Sequence, residues 1–401
     1  MTFFILQDID YRLKAKNLKL SFINNSEFND MKVLNPSLKK YLNTIKSMIN
    51  DYEKQWNIYK KYTYPYEFVH TNIPELSFSI SNLKPISRAF YKLVEIYNSN
   101  NILNSNSPIN TFHLAEGPGG FIEATAYLRN NSEDQYFGMS LIEKNNNRIP
   151  NWKKISNLYN RYKNINIIYG KDNTGDLFNH ENLIYCRDNF KNSMDIITAD
   201  GGFDFSDDFN NQEKNVTRLI LTQIAYALAM QKKNGSFILK IFDIFQPISL
   251  HLIYILSCFY GKVIIMKPNT SRYANSEKYI VCKFFKYENT DEITDKFINI
   301  LKILENIDFT KYALSGLIDI PIQFYYLSRI KEINAILGHK QIDNILNTLK
   351  LINYKDKTTK MNTLQNSNIQ KCIAWCVKNN IPHSKNYEYK NTFLGYKTKN
   401  L

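Results

Sequence analysis

The chain has 401 residues, 44% of them hydrophobic, which is enough to build one large or two modest soluble domains. Lys and Arg (51) outnumber Asp and Glu (37), so the net charge is +14, and with 28 Tyr and 25 Phe this favours a nucleic-acid partner whose bases stack on aromatic rings. Five cysteines, few and odd in number, argue against a disulfide framework and favour a reducing compartment.

Membrane insertion, secretion and zinc binding are also disfavoured. The longest apolar run, 248–260, has 13 residues, fewer than the ~20 that a membrane-spanning helix needs. Residues 1–11 carry two aspartates and lack the basic start and the cleavage site of a signal peptide. Cys372 and Cys376 have no second Cys or His pair at ligand spacing. We therefore expect a cytoplasmic protein with no membrane partner and no metal. The many Lys, Asn and Ile residues are typical of an AT-rich genome, which favours a viral or protist source.

Three regions follow one another along the chain. Residues 1–80 mix polar helical patterns with tyrosines and are interpreted as an appended region. Residues 81–290 open with a helical pattern over 88–97 and a polar loop over 98–110. Residues 291–401 show two or three amphipathic helices and no strand pattern. From Lys340 to the end, eleven lysines face three acids, so this part is either a solvated basic tail or a surface that guides RNA.

The stretch FHLAEGPGGF, residues 112–121, is the most informative local sequence. A short apolar strand over 113–115 runs into a Gly-Pro-Gly-Gly turn, and a helical pattern follows over 121–129. Such turns at the carboxyl ends of parallel strands bind nucleotides, because glycine lets a ligand approach the main chain. The turn lacks the Lys-Ser/Thr ending of a phosphate loop and the full G-x-G-x-x-G spacing, so S-adenosylmethionine, a nucleoside without a phosphate chain, fits better. An ordinary β-to-α turn is the alternative.

Strand-length apolar runs then alternate with helical patterns. The predicted strands are 136–142, 165–169, 195–199, 236–242, 262–266 and 278–285. Two long helices are predicted, one over 216–233 that ends before Gly235, and one from Pro247 to Gly261. This alternation predicts a doubly wound α/β fold, with a mostly parallel sheet between two layers of helices.

Four charged residues are expected at one mouth of this sheet. Asp200 follows the strand 195–199, Lys240 lies near the end of 236–242, and Glu277 directly precedes 278–285, while Lys92 lies on the helix before the glycine turn. Burying such charges is costly unless they are paired or functional. A pair of ordinary salt bridges is one reading of this set.

The other reading is methyl transfer to a ribose 2′-hydroxyl, which must lose its proton to attack a sulfonium-bound methyl group. A lysine accepts that proton only when it is neutral, and partial desolvation with a nearby cation lowers a lysine pKa from ~10.4 toward ~7 to 8. In this reading Lys92 is the cation beside Lys240, and the two carboxylates hold the two amines in place.

Six motifs in the same order resemble those of the FtsJ/RrmJ-like ribose 2′-O-methyltransferases, and within them the mRNA cap-1 enzymes of eukaryotes and large DNA viruses. The motifs are SRAFYKL, AEGPGGF, FGMSL, ADGGFDFS, LKIFDIFQP and KPNTSRYANSEKYIVCK, and they cover about half of the chain. The resemblance implies a Rossmann-like S-adenosylmethionine-dependent methyltransferase fold, with a mostly parallel seven-stranded sheet and mainly helical N- and C-terminal additions. It also implies a catalytic Lys-Asp-Lys-Glu tetrad made of Lys92, Asp200, Lys240 as general base, and Glu277.

The same resemblance implies S-adenosylmethionine as cofactor and suggests which residues bind it. Asp200 lies near its methyl group, and Asp176, in GKDNTGDLF, resembles an acid that faces the adenine, with a surface loop acid as the alternative. The turn residues that wrap the methionine half are Glu116, Gly117, Pro118, Gly119, Gly120 and Phe121.

The stretch TSRYANSE resembles the cap type of these enzymes and predicts contacts with RNA from Ser271, Arg272 and Asn275. Because a guanidinium fork suits phosphate oxygens, Arg272 is the candidate for the RNA backbone or triphosphate. A structural ion pair of Arg272 with Asp204 or Asp207 is the alternative.

The sequence thus predicts an enzyme that methylates the first transcribed nucleotide of capped mRNA. Its expected partners are the capped 5′ end of mRNA and other capping or transcription proteins. Two alternatives stay open, an RNA-binding subunit that uses a methyltransferase fold to grip capped RNA, and a 2′-O-methyltransferase that acts on rRNA or tRNA.

Overall fold

The computed structural model describes residues 2–28, 31–143, 152, 155–202 and 211–385. Ten strands are described: β1 (Thr2–Ile5), β2 (Leu18–Asn24), β3 (Asn110–Leu114), β4 (Gln135–Met139), β5 (Ile165–Ile168), β6 (Met194–Ala199), β7 (Gln231–Ile241), β8 (Tyr260–Lys267), β9 (Lys278–Phe285) and β10 (Tyr312–Ile318). The helices of these ranges are α1 (Pro36–Ser47), α2 (Glu53–Thr63), α3 (Ala89–Asn100), α4 (Gly120–Arg129), α5 (Ile155–Arg161), α6 (His180–Phe190), α7 (Gln212–Met230), α8 (Pro247–Phe259), α9 (Asp291–Glu305), α10 (Phe324–Ile352) and α11 (Lys357–Lys378).

Eight strands form the central sheet, in the order β1-β8-β9-β7-β6-β3-β4-β5. The neighbours from β7 through β6, β3 and β4 to β5 are parallel, and β9 runs antiparallel to both β7 and β8. This confirms the predicted α/β fold with a mostly parallel seven-stranded sheet. The N-terminal region adds β1 as an eighth strand, antiparallel to β8 at the edge of the sheet.

Helices cover both faces of the sheet, which is why its strands read as nearly continuous apolar runs. Successive side chains of a strand point to opposite faces. Accordingly, Ile197 and Leu239 belong to a core shared with α7 and α8, whereas Ile196 and Ile238 belong to a second core shared with α3, α4 and α11.

The two neighbouring strands β3 and β6 mark the point where the chain reverses its direction across the sheet. From β3 the chain moves outward to β4 and β5, and it then crosses back to β6 and β7. In open α/β sheets, ligands bind outside the carboxyl ends of the strands at such a switch point. The glycine turn follows β3 and Asp200 follows β6, so both lie at this position.

The structure corrects two expectations about local structure. The region from 291 onward contains a strand, β10, which pairs with β2 of the N-terminal region in a separate two-stranded sheet. The helix predicted over 216–233 ends at Met230, and Gln231 already begins β7. Tertiary contacts decide this boundary, because the buried Gln231 amide donates to the main-chain oxygen of Met194 at 2.7 Å and its oxygen accepts from Tyr260 at 3.0 Å.

The terminal regions pack closely against the central region and against each other. Helices α1, α2 and α10 share a core around Leu42, Trp56 and Ile345. Trp375 of α11 makes an edge-on ring contact with Tyr91 of α3, with 5.9 Å between the ring centroids. The division at residues 80 and 290 stays a prediction. Within the described ranges, no helix is both long enough and apolar enough to cross a bilayer.

Candidate active site

The glycine turn joins β3 to α4 with an unusual backbone. Ala115 has φ of 52°, the Gly117-Pro118 peptide is cis, and Gly119 has φ of 116°. A side chain at Gly119 would be strained by that φ, and its Cβ would lie 3.1 Å from the Leu158 side chain. Position 119 therefore requires glycine, because the turn packs closely against α5 there.

Glu116 determines what charge this turn can accept. Its carboxylate accepts the N–H groups of Phe121 at 2.7 Å and Ile122 at 3.0 Å, which are donors that a helix N-terminus otherwise offers to a phosphate. Burial raises the pKa of Glu116 to about 8, and these two hydrogen bonds oppose that effect. A turn whose helix donors are already taken, next to Asp200, suits a cationic ligand better than a phosphate. The residues present thus fit a sulfonium cofactor such as S-adenosylmethionine.

The four predicted catalytic residues come together as two ion pairs. Lys92 Nζ lies 2.8 Å from the Glu277 carboxylate, and both residues are buried, with exposures of 7% and 8%. Lys240 Nζ lies 3.2 Å from Asp200 Oδ1 and 2.6 Å from the Asp200 main-chain oxygen. The two pairs come from α3, from the ends of β6 and β7, and from the residue before β9. Since β9 is antiparallel, its beginning lies at the edge where the parallel strands end.

The electrostatics of the buried pair reflect its neighbours. Burial lowers the pKa of Lys92, the charges of Glu277 and Asp200 oppose this, and the positive charges of Arg88 and Lys240 add to the lowering. Burial by itself would raise the pKa of Glu277, but the neighbouring cations Lys92 and Lys240 outweigh it and hold that pKa below its usual range. Lys92 and Glu277 therefore feel the charges of the other pair.

Two hydroxyl groups that sequence analysis did not assign to the tetrad orient its carboxylates. Tyr279 donates to Asp200 Oδ1 at 2.9 Å. Ser271 is fully buried and donates to Glu277 Oε1 at 2.8 Å. The hydroxyl of Ser271 thus binds Glu277 in this structure, and the RNA contact of this residue stays a prediction. Tyr279 could have been predicted at this site, because alternate residues of a strand point to the same face and Tyr279 lies two residues after Glu277.

Asp176 lies in the loop after β5, where that loop approaches the end of β4. A Cβ at Gly175 would come within 2.1 Å of the Ser140 main-chain oxygen, so only glycine allows this approach. The Asp176 carboxylate accepts the N–H of Phe178 at 2.9 Å and orders its own loop. Burial raises the pKa of Asp176, and the hydrogen bond from Phe178 and the charge of Arg218 oppose that effect.

Arg272 lies in a cationic group at the boundary with the N-terminal region. Its Nε and Nη2 both bind the carboxylate of the buried Glu67, at 2.9 and 2.5 Å, and its side chain stays 31% exposed. The alternative partners Asp204 and Asp207 lie outside the described residues. The charges of Arg272 and Arg88 both lower the pKa of Lys60, after burial as the main cause, so these three cations lie near one another around one carboxylate. Lys60 and Glu67 lie outside the sequence motifs, so neither was predicted.

Asn275 is exposed on the same segment as Arg272, four residues after Ser271. Its predicted contact with RNA is compatible with this exposure. Across the part of the chain that the structure describes, no three His, Cys, Asp or Glu side chains come together as metal ligands.

Comparison with known proteins identifies relatives over this same region. Residues 85–285 match the family model of the FtsJ-like methyltransferases, and all four residues of the two ion pairs lie in that span. The cap-specific mRNA (nucleoside-2′-O-)-methyltransferase 2 of Danio rerio is 28% identical over 342 residues, which cover 79% of this chain and 43% of the relative. The protein of the same name from Drosophila melanogaster is 29% identical and covers 66% of this chain and 39% of the relative.

The cap-specific mRNA (nucleoside-2′-O-)-methyltransferase 1 of Homo sapiens is 36% identical over 207 residues, which cover 49% of this chain and 24% of the relative. The chain therefore spans less than half the length of these curated relatives.

Proposed function

Because the chain belongs to the FtsJ-like methyltransferase family, we propose that it is an S-adenosylmethionine-dependent mRNA cap methyltransferase that acts on the ribose 2′-hydroxyl of the first transcribed nucleotide. The observation that carries this proposal is the convergence of two lysine-carboxylate pairs beside the glycine turn. The names of the curated relatives, which are cap-specific mRNA (nucleoside-2′-O-)-methyltransferases, support capped mRNA as the substrate.

Lys240 is the general base of the proposed reaction. In its neutral form the amine takes the proton of the 2′-hydroxyl as the ribose oxygen attacks the methyl group, and the electron pair of the broken sulfur–methyl bond stays on the sulfur. Two oxygens of Asp200 hold the amine at 2.6 and 3.2 Å. S-adenosylmethionine, when bound, supplies a methyl group on a positively charged sulfur. Lys92 provides a second cation near the site, and Glu277 holds it at 2.8 Å. General-base catalysis of this kind contributes about 10² to 10⁴ in rate.

The proposed cofactor site is the glycine turn with the two neighbouring loop ends. Gly117, Pro118, Gly119 and Gly120 offer main-chain atoms, and the acid Glu116 lies on the same turn. Phe121, which directly follows the turn, is fully buried and is proposed as part of the same site. Asp200 is proposed near the methyl group, and Asp176 near the adenine, where its loop approaches the end of β4.

The proposed RNA contacts use the cationic group beside the tetrad. Arg272 is held by Glu67 with its fork fixed, and part of the side chain stays exposed for phosphate oxygens. Lys60 and Arg88 add positive charge at the same place, and Asn275 is exposed on the adjoining segment. Capping or transcription proteins as partners, the viral source and the cytoplasmic location stay predictions.

The test is product analysis of a short capped RNA incubated with the protein and S-adenosylmethionine. After nuclease digestion, mass spectrometry should find one added methyl on the ribose of the first nucleotide. The same RNA without its cap should be methylated at least about tenfold more slowly. Methylation of a later nucleotide would show that the enzyme acts on that nucleotide instead of the first one. Equal rates on uncapped rRNA or tRNA fragments would favour that substrate class, and salt-dependent RNA binding without any product would favour a binding subunit.

A further inference from the structure

The segment 268–277, which joins β8 to β9, is here called the tetrad loop. It has no regular secondary structure along its length, yet it carries Glu277 of the buried ion pair and the hydroxyl of Ser271 that binds Glu277. It also carries the partly exposed side chain of Arg272 and the exposed Asn275. A segment without secondary structure lacks regular main-chain hydrogen bonds. It therefore needs hydrogen bonds from other parts of the protein to keep one conformation.

Side chains from several elements supply those bonds at the first half of the tetrad loop. The Glu95 carboxylate of α3 accepts the N–H groups of Asn269 at 2.9 Å and Thr270 at 3.0 Å, and also the Thr270 hydroxyl at 2.9 Å. Tyr64, just after α2, donates its hydroxyl to the main-chain oxygen of Asn269 at 2.6 Å. Further along, Gln341 of α10 donates to the main-chain oxygen of Ala274 at 2.9 Å.

One buried amine donates three hydrogen bonds to the last residues of the tetrad loop, where Ser276 also donates to Gln212 at 2.6 Å. Lys267, the final residue of β8, donates to the main-chain oxygen of Asn275 at 2.7 Å, to Asn275 Oδ1 at 3.0 Å and to the main-chain oxygen of Glu277 at 2.6 Å. These three acceptors are neutral oxygens, and Lys267 is buried, with 8% exposure. One amine thus holds both the exposed side chain proposed for RNA and the main chain of the tetrad carboxylate.

Burying the Lys267 amine destabilises the folded protein, which argues for a role of this residue other than packing. A buried cation that meets only neutral acceptors keeps much of its desolvation penalty, and an apolar side chain of similar length would avoid that penalty. Burial lowers the pKa of Lys267 to about 7, the charge of Glu277 opposes this, and Lys278 and Lys92 add to the lowering. The function of Lys267 that we infer is therefore to fix the three oxygens of Asn275 and Glu277 to which it donates.

We propose that Lys267 is a positioning residue for methyl transfer, which fixes Glu277 against Lys92 and Asn275 toward the RNA by holding the end of the tetrad loop. This inference rests on the proposed function. Catalytic groups need placement within about 0.5 Å, and a misplacement of about 1 Å can cost about 10²-fold in rate. Loss of the Lys267 amine should therefore reduce turnover through the tetrad loop without altering the glycine turn.

The test compares Lys267→Met with Lys283→Met as a matched control. Lys283 is a strand lysine of β9 that also donates to a main-chain oxygen, that of Asn100 at 2.7 Å, but it lies outside the tetrad loop. Hydrogen exchange of a peptide covering 268–277, the affinity for S-adenosylmethionine, and kcat and KM on capped RNA are measured for each protein. For Lys267→Met we expect at least tenfold faster exchange in the tetrad loop and at least a tenfold lower kcat, with less than a twofold change in cofactor affinity. Lys283→Met should behave as wild type.

Lys267→Gln, which keeps an amide donor, is the second variant and should give intermediate exchange and kcat. Wild-type kcat in Lys267→Met, or faster exchange without any loss of kcat, would overturn the positioning role. Failure of both variants to fold would assign Lys267 to stability alone and would also overturn it. If the wild-type protein transfers no methyl group, the proposed function fails, and the exchange comparison still reports whether Lys267 holds the tetrad loop.

Discussion

Lys240 and Tyr279 lie directly opposite each other on the antiparallel strands β7 and β9, and both bind the same carboxylate oxygen, Asp200 Oδ1, at 3.2 and 2.9 Å. Residues opposite each other in such a pair point to the same face of the sheet. The pairing of β7 with β9 therefore places a lysine and a tyrosine on one aspartate at the carboxyl edge. This relationship links the sheet register to the position of the proposed base.

Removing the Tyr279 hydroxyl should loosen Asp200 and slow the reaction. In Tyr279→Phe we expect kcat to fall about tenfold, which corresponds to the roughly 1.4 kcal/mol expected for one lost hydrogen bond to a charged group. Tyr260→Phe is the matched control, because Tyr260 is also a fully buried sheet tyrosine with one donated hydrogen bond, to Gln231 at 3.0 Å. Both variants should lose similar stability in urea unfolding, and only Tyr279→Phe should lose kcat. Equal kcat values for the two would contradict this role.

Breaking the buried pair of Lys92 and Glu277 from one side should destabilise the fold. Lys92→Met leaves Glu277 buried without its partner, so the free energy of unfolding should fall by about 3–5 kcal/mol. The double variant Lys92→Met, Glu277→Gln removes both charges and should recover a large part of that loss. Urea unfolding of the two single variants and the double variant gives the coupling energy. A double variant as unstable as the sum of the singles would show that the two residues do not interact in solution.

Neutralising the pair of Arg272 and Glu67 should weaken RNA binding without altering the net charge of the protein. In Arg272→Gln, Glu67→Gln we expect the slope of log K against log salt to become shallower by about 0.7, the value for one lost phosphate contact on single-stranded RNA. The control is the double variant Arg187→Gln, Asp295→Asn, which neutralises an ion pair of 2.9 Å between α6 and α9 in the same way. Identical slopes for both double variants would exclude Arg272 from the RNA surface.

Acid should destabilise the protein through His113, which lies fully buried between the hydroxyls of Thr111 and Thr198 at 2.9 and 2.7 Å. Burial lowers its pKa to about 3, from 6.5. Because the unfolded chain binds the proton more readily, the stability from this group is present above about pH 6.5 and is lost as the pH falls toward 3. The total loss is of the order of 5 kcal/mol at about 1.4 kcal/mol per pKa unit.

Urea unfolding between pH 7.5 and pH 4.5 checks this expectation. His113→Gln should show a shallower fall in stability than wild type, whereas His339→Gln, at an exposed position of α10, should follow the wild-type curve. A wild-type slope in His113→Gln would mean that other groups account for the acid sensitivity. His70 and His251 are candidates, since burial lowers the pKa of each to about 4.

The sequence predicted the strands best where both faces are buried. The predicted strand over 278–285 matches β9 residue for residue, because aromatic and β-branched residues are enriched in strands. The strand β10 was missed because Ser315 and Gly316 interrupt its apolar pattern, and its pairing with β2 shifts register on both sides of Gly316. Such a strand is stabilised by a partner almost 300 residues away, which local patterns do not reveal.

The motifs located the charged residues of the site but not the groups that hold them. Lys92, Asp200, Lys240 and Glu277 could be named because each lies in a motif next to a predicted element. The bond between Arg272 and Glu67 joins residues 205 positions apart, and Glu67 lies outside the motifs. Tertiary packing alone brings such partners together, so the sequence left the environment of Arg272 open.

The central claim is that the amine of Lys240 takes the proton of the 2′-hydroxyl. The most direct measurement is the single-turnover rate of methyl transfer to a capped RNA by Lys240→Met, with cofactor and RNA affinities measured on the same protein. We expect both affinities to stay within about threefold of wild type and the rate to fall by about 10² to 10⁴. A rate within a few-fold of wild type at saturating RNA would contradict the claim and assign the base to another group.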